Sequence, residues 1–159
     1  MKKTLLILLF LPFATFAQIT GRVVAIADGD TFTLLTDSNR QIKIRLYGID
    51  CPEKGQDFGN VCKTHLSDLI FAKRVVVQDK GMDRYGRTLG IVFFDDVNVN
   101  ENMIAEGMAW HFKRYDNNEN WAKMEIAARS QRKGLWYQDN PIPPWEWRNL
   151  MSNRKRAHS

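Results

Sequence analysis

From Ile19 to Ile49 the chain carries three runs of alternating apolar and polar residues separated by two turn signals, which confines it to a meander of short antiparallel strands. The first run is Ile19 to Ala27, with Gly21 the expected bulge. Asp28-Gly29 reads as a tight hairpin of type I′, which needs positive φ at both central residues. Asp30 to Leu35 returns, and Asp37-Ser38-Asn39 turns the chain again. Gln41 to Ile49 is the third strand, with Ile42, Ile44 and Leu46 on one face and Lys43, Arg45 and Tyr47 on the other.

The remaining pattern is helix, two strands, then helices. Asn60 is the expected N-cap of a helix through Ala72, with Cys62, Leu66, Leu69 and Ile70 as its inner stripe. Arg74 to Gln78 is a β-branched strand, Asp83 to Gly86 a turn, and Arg87 to Phe94 a fifth strand. Asn98 or Asn100 caps a short helix stopping at Gly107. Asn117 or Asn118 caps a longer one ending at Gly134, with Trp121, Met124 and Ala128 facing inward. Pro141, Pro143 and Pro144 with Trp145 and Trp147 read as an extended strap packed on the body. The expected class is α+β: a five-stranded OB-type Greek-key barrel with three α-helices.

The N-terminus reads as an export signal. Lys2 and Lys3 precede an apolar run from Leu5 to Phe16, and Thr15-Phe16-Ala17 offers small residues for cleavage after Ala17. That run is too short to span a bilayer comfortably. The expected organisation is 1–17 signal peptide, 18–137 folded domain, and 138–159 strap and basic tail, in a periplasmic or secreted protein. The formal charge of +5 is unevenly spread. Between residues 18 and 147 there are 17 basic and 18 acidic residues, a net of −1, while Arg148, Arg154, Lys155 and Arg156 follow with no acid among them. Affinity for a polyanion therefore has to come from locally placed arginines and a bound cation rather than a general basic field. The basic end reads as a solvated tail. Two cysteines, Cys51 and Cys62, suit a disulfide in an exported chain and are too few for structural zinc. Closing so short a loop would contribute about 2–3 kcal/mol and tie the Glu53 loop to the following helix.

Three separated stretches carry the chemistry: Asp28-Gly29-Asp30-Thr31, then Arg45 through Asp50-Cys51-Pro52-Glu53, then Asp83-Arg84-Tyr85-Gly86-Arg87. Together they offer carboxylates for a cation, a carboxylate for a water and guanidinium groups for a phosphate, the parts that phosphodiester hydrolysis needs. His65, His111 and His158 are too scattered for a histidine-based nuclease site. With these three stretches the chain resembles the staphylococcal nuclease family over Gly21 to Trp136. The resemblance implies an OB barrel and calcium-dependent endonucleolytic cleavage of DNA and RNA, leaving 3′-phosphate and 5′-hydroxyl ends. It implies Asp30, Asp50 and the main-chain carbonyl of Cys51 as calcium ligands, with Thr31 supporting that shell. It implies Glu53 as the residue that holds the attacking water, and Arg45 and Arg87 as the grip on the scissile phosphate. Arg84 and Tyr85 would meet a terminal phosphate, and Tyr115 a base. Single strands are the expected preference and a monomer the expected state.

The chain departs from the staphylococcal pattern in three places. Phe112-Lys113-Arg114-Tyr115 stands where that enzyme has paired tyrosines, Cys51 replaces a threonine, and the loop after Glu53 is shorter. The competing reading is a non-catalytic OB-fold module that binds nucleic acid or protein. Such a module has no need of Asp30, Asp50, Glu53, Arg45 and Arg87 together.

Overall fold

A computed structural model of the protein describes residues 18–157. The expected signal segment lies outside them, as do His158 and Ser159. The meander is present as β1 (Gln18–Ile26), β2 (Thr31–Thr36) and β3 (Gln41–Leu46). A short β4 (Ile49–Asp50) precedes α1 (Gly59–Ile70), and β5 (Arg74–Met82) and β6 (Thr88–Phe94) follow. The chain then runs through β7 (Val97–Asn98), α2 (Val99–Ala105), β8 (Trp110–His111), α3 (Glu119–Ser130), a 3-10 turn (Gly134–Tyr137) and α4 (Pro144–Ala157).

Strand order β3-β2-β1-β5-β6 closes because β3 also pairs in parallel with β6, Ile44 opposite Thr88 and Leu46 opposite Gly90. This is the five-stranded barrel expected of an OB fold. Alternation places Phe32, Leu34, Ile44, Leu46, Val75, Val77 and Val92 in its fully buried interior. Cys62, Leu66 and Ile70 of α1 seal one part of that core, and Val99, Met103, Ile104 and Trp121 of α2 and α3 another. Asn98 caps α2 by accepting from Glu101 N, and Asn118 caps α3 by accepting from Asn120 N and Trp121 N.

Several expectations change. Among the described residues there are four α-helices rather than three. The α1 helix starts at Gly59 after Phe58 in the left-handed region, and is not capped by Asn60. The bulge in β1 falls between Val23 and Ala25, while Gly21 is needed for contact, since a Cβ there would lie 2.3 Å from Leu35 O. Gly29 does not adopt positive φ, so Asp28-Gly29 is not a type I′ turn. It is a glycine because a Cβ would sit 2.8 Å from that of Cys51 and 2.9 Å from that of Cys62. The expected Cys51–Cys62 disulfide is not formed: both thiols are free and buried, and Cys51 Sγ donates to Gly29 O at 3.2 Å. The strap is helical from Pro144 onward, because proline suits a first helical turn, Glu146 lies near its N-terminus and Arg154, Lys155 and Arg156 near its C-terminus.

Candidate active site

The site forms where three turns meet one edge of the barrel. The loop after β1 is closed by Ala27 N donating to Thr31 O, and Leu46 N at the end of β3 donates to Asp30 O at 2.8 Å. Asp30 is thereby fixed beside Arg45, whose own backbone pairs with Thr31 on one side and Leu89 on the other. After β3 the chain bends at Gly48, whose φ is +71° and where a Cβ would lie 2.7 Å from the Trp121 ring. The bend aims β4 back over the barrel end, with Asp50 paired to Trp110 of β8.

These turns bring the two carboxylates among the expected cation ligands onto one guanidinium. Arg45 donates through Nη1 to Asp30 Oδ1 at 2.8 Å and through Nη2 to Asp50 Oδ1 at 2.7 Å. Asp50 is fully buried and Asp30 nearly so. Cys51 N donates to Asp30 Oδ2 at 3.2 Å, and Thr31 Oγ1 to Asp30 Oδ1 at 2.9 Å. Burial pushes the Asp30 carboxyl up to about 6 against the opposing pull of Arg45, with Asp28 adding to the rise. Burial works against the charge on Arg45, but Asp30 and Asp50 outweigh it and raise its pKa. Burial, then Asp30, lifts the Cys51 thiol well above the ordinary range and the Cys62 thiol to about 12, so neither is a reactive thiolate.

The donors on offer to a cation are oxygens, which suits a hard divalent ion such as calcium with an open, watery shell. Among the described residues no group of three or more His, Cys, Asp or Glu side chains could hold a metal. A cation here would rest on the two carboxylates and draw its other ligands from main-chain oxygen, water and substrate.

Glu53 follows on the same loop. Its carbonyl accepts from Gln56 N, its N–H donates to Gln56 Oε1 at 3.0 Å, and a Cβ on Gly59 would fall 2.2 Å from Glu53 O. The missing side chain at Gly59 lets α1 begin directly against that loop, which anchors it without a disulfide.

Arg87 approaches from the opposite turn. Asp83 accepts from Arg87 N at 3.0 Å and from Arg87 Nε at 2.7 Å, while Arg87 Nη1 reaches Thr31 Oγ1 at 3.3 Å. Thr31 therefore links Arg87 to Asp30. Burial raises the Asp83 carboxyl, but the Arg87 and Tyr85 hydrogen bonds outweigh it and the net shift is downward. Arg84 Nη2 donates to the Tyr85 hydroxyl at 2.6 Å, and Tyr85 and Tyr115 stand exposed at the rim. The expected residues Asp30, Arg45, Cys51, Glu53, Arg84, Tyr85, Arg87 and Tyr115 all line one open cavity of about 930 Å³. Asp50 and Thr31 lie against its floor through Arg45 and Asp30.

One participant goes unnoticed in the sequence. Arg148 of α4 donates through Nη2 to Asp50 Oδ2 at 2.7 Å, through Nη1 to Asp50 Oδ1 at 3.3 Å, and also to Glu53 Oε1. It belongs to the stretch read as a solvated tail. The signal that locates it is the aromatic residue one turn earlier: Trp145 stacks on Phe112, centroids 5.1 Å apart and planes at 4°, and meets Trp110 edge-on.

Residues 43–138 match the family model described as Staphylococcal nuclease homologue. An uncharacterized endonuclease of Haemophilus influenzae is 46% identical over 129 residues, covering 81% of this chain and 72% of that one. An uncharacterized endonuclease of Escherichia coli O157:H7 is 42% identical over 134 residues, covering 84% and 87%. A micrococcal nuclease of Shigella flexneri is 40% identical over 159 residues, covering 92% and 90%. The closed barrel, the acids gathered on Arg45 and these similarities agree, and the chain belongs to the staphylococcal nuclease family.

Proposed function

We propose that this protein is an exported, calcium-dependent endonuclease that hydrolyses phosphodiester bonds of DNA and RNA, leaving 3′-phosphate and 5′-hydroxyl ends. The nuclease relatives support the endonuclease class. The observation that carries the finer reading is the convergence of Asp30 and Asp50 on one guanidinium at the base of an open cavity. Asp30, Asp50 and the Cys51 carbonyl hold the cation, which when bound supplies positive charge to the phosphoryl oxygens.

Arg45 and Arg87 flank that position from β3 and from the 83–87 turn. Their planar forks bind non-bridging phosphate oxygens, and Arg87 offsets charge developing on the departing 5′ oxygen. Glu53 orients a water and accepts its proton as the new P–O bond forms in line with the breaking bond to the 5′ oxygen. Thr31 keeps Asp30 in register with Arg87. Arg84 and Tyr85 meet a terminal phosphate, and exposed Tyr115 offers a π face to a base of a flexible single strand. The enzyme works as a monomer in the periplasm or outside the cell. Among the described residues no helix is long and apolar enough to cross a membrane.

The test is incubation of the purified protein with plasmid DNA or RNA, in calcium and in excess chelator. Cleavage in calcium alone is expected. Persistence in chelator contradicts the cation reading, and intact nucleic acid under both conditions points to a binding module. Replacing Glu53 with Gln is expected to slow cleavage by roughly 10²–10⁴-fold while calcium binding changes little.

A further inference from the structure

Arg148 lies beyond the residues matched to the family, so neither the family match nor the three motifs assign it a role. Its guanidinium is bidentate on Asp50 and reaches on to Glu53. Asp50 Oδ1 also accepts from Arg45. Both oxygens of Asp50 are therefore occupied by guanidinium N–H groups. Oδ1 accepts two of these groups and Oδ2 one, so a hard cation that approaches Asp50 meets guanidinium charge already held against the same carboxylate and is repelled by it.

The two arginines are not equally displaceable. Arg45 is 16% exposed, built into the barrel seam, and shared between two buried carboxylates. Arg148 lines the cavity and is 41% exposed. The backbone that carries it is anchored independently of the ion contact. Trp145 stacks on Phe112, Pro144 is buried, and Gln56 Nε2 donates to Ile142 O at 2.7 Å. Rotation of one side chain frees Asp50 while the helix stays docked. Charge points the same way. Asp30, Asp50 and Glu53 against Arg45 and Arg148 leave a net of −1, since three acids face two bases. Without Arg148 the same group would stand at −2, a stronger pull on a cation and a costlier set to keep buried.

We propose that Arg148 is a built-in occupant of the cation site: it neutralises Asp50 and ties Glu53 when the ion is absent, and the ion binds by exchanging with it. The inference rests on the cation reading above, because it supposes that Asp50 takes a divalent ion. It makes the C-terminal helix a competitor that sets the calcium concentration at which the site assembles and Glu53 is released.

Calcium titration by calorimetry at fixed ionic strength, without nucleic acid, tests it on the wild type, Arg148→Gln and Arg148→Lys. Near-ultraviolet circular dichroism checks that Trp145 remains docked in each. Loss of the bidentate contact is expected to tighten calcium binding on the order of tenfold in Arg148→Gln. Lysine keeps the charge but not the fork, so Arg148→Lys is expected to bind roughly threefold tighter than wild type. Unchanged or weaker binding in both variants overturns the proposal. Tighter binding in Arg148→Gln with wild-type binding in Arg148→Lys also overturns it, because a distant field rather than direct exchange is then at work. Failure of every form, wild type included, to bind calcium removes the cation reading and the inference with it.

Discussion

Arg45 and Arg148 both contact Asp50, yet they come from regions built in opposite ways. Arg45 sits in the wall, where β3 pairs with β2 and β6 and the barrel closes. Its backbone is locked by the ladders that make the core, and its side chain is the shared counter-charge of two buried acids. Arg148 sits on a helix added after the barrel and held by aromatic stacking, and it lines the cavity. The difference separates two tasks. A charge embedded in the wall organises the acids whether or not a ligand is present. A charge on an appended helix can give way without disturbing the core.

The comparison breaks most sharply at Arg45. Replacing Arg45 with Ala leaves two buried carboxylates without their shared partner, and about 3–5 kcal/mol of stability is expected to go in metal-free urea unfolding. Arg148→Ala in the same assay is expected to cost less, about 1–2 kcal/mol, since Arg148 is partly exposed and Asp50 keeps its bond to Arg45. Equal losses would show that both arginines serve as wall. Trp145→Ala probes the helix side. Its ring contacts are expected to contribute about 1–2 kcal/mol to holding α4 in place. Faster amide exchange confined to Pro144–Ala157 is the expected readout. Exchange that rises throughout the barrel would show that α4 is part of the core. The smallest effect belongs to the 83–87 turn, which is neither wall nor appendage. The Asp83 pKa is lowered on folding, so its stabilising contribution is present above the ordinary carboxylate range and is lost as pH falls. Asp83→Asn is expected to lower stability by about 0.5–1 kcal/mol near neutrality after solvent screening, with the gap to wild type closing toward pH 3. A gap that persists there would assign the effect to the backbone turn instead of the charge.

The barrel was readable because period-two alternation from Ile19 to Ile49 is a local property, and burial of Phe32, Leu34, Ile44 and Leu46 follows from it. That Asp30, Arg45, Asp50, Glu53 and Arg87 would meet was expected from three short motifs that resemble the family's, and the structure brings them to one cavity although the contacts that unite them span the barrel. What escaped depended on distant packing. Gly29 looks like a turn residue, but its lack of a side chain serves the approach of Cys51 and Cys62 from elsewhere in the chain. Those cysteines were expected to bridge, and the structure instead holds them as buried thiols beside Asp30. Arg148 contacts residues 95 and 98 positions earlier, and no local pattern reports so long a reach. The α4 helix itself was within reach of local rules: Pro144, Glu146 and the Arg154–Arg156 cluster are helix-end signals that Pro141 and Pro143 just before them obscured.

A crystal structure of the protein grown in calcium, with the ion located by its anomalous signal, puts the whole account to its most direct trial. The expected result is a single ion bonded to both Asp30 and Asp50 at about 2.3–2.6 Å, with the Arg148 guanidinium withdrawn from Asp50. An ion bound elsewhere, or Asp50 still closed on Arg148 at saturating calcium, would contradict it.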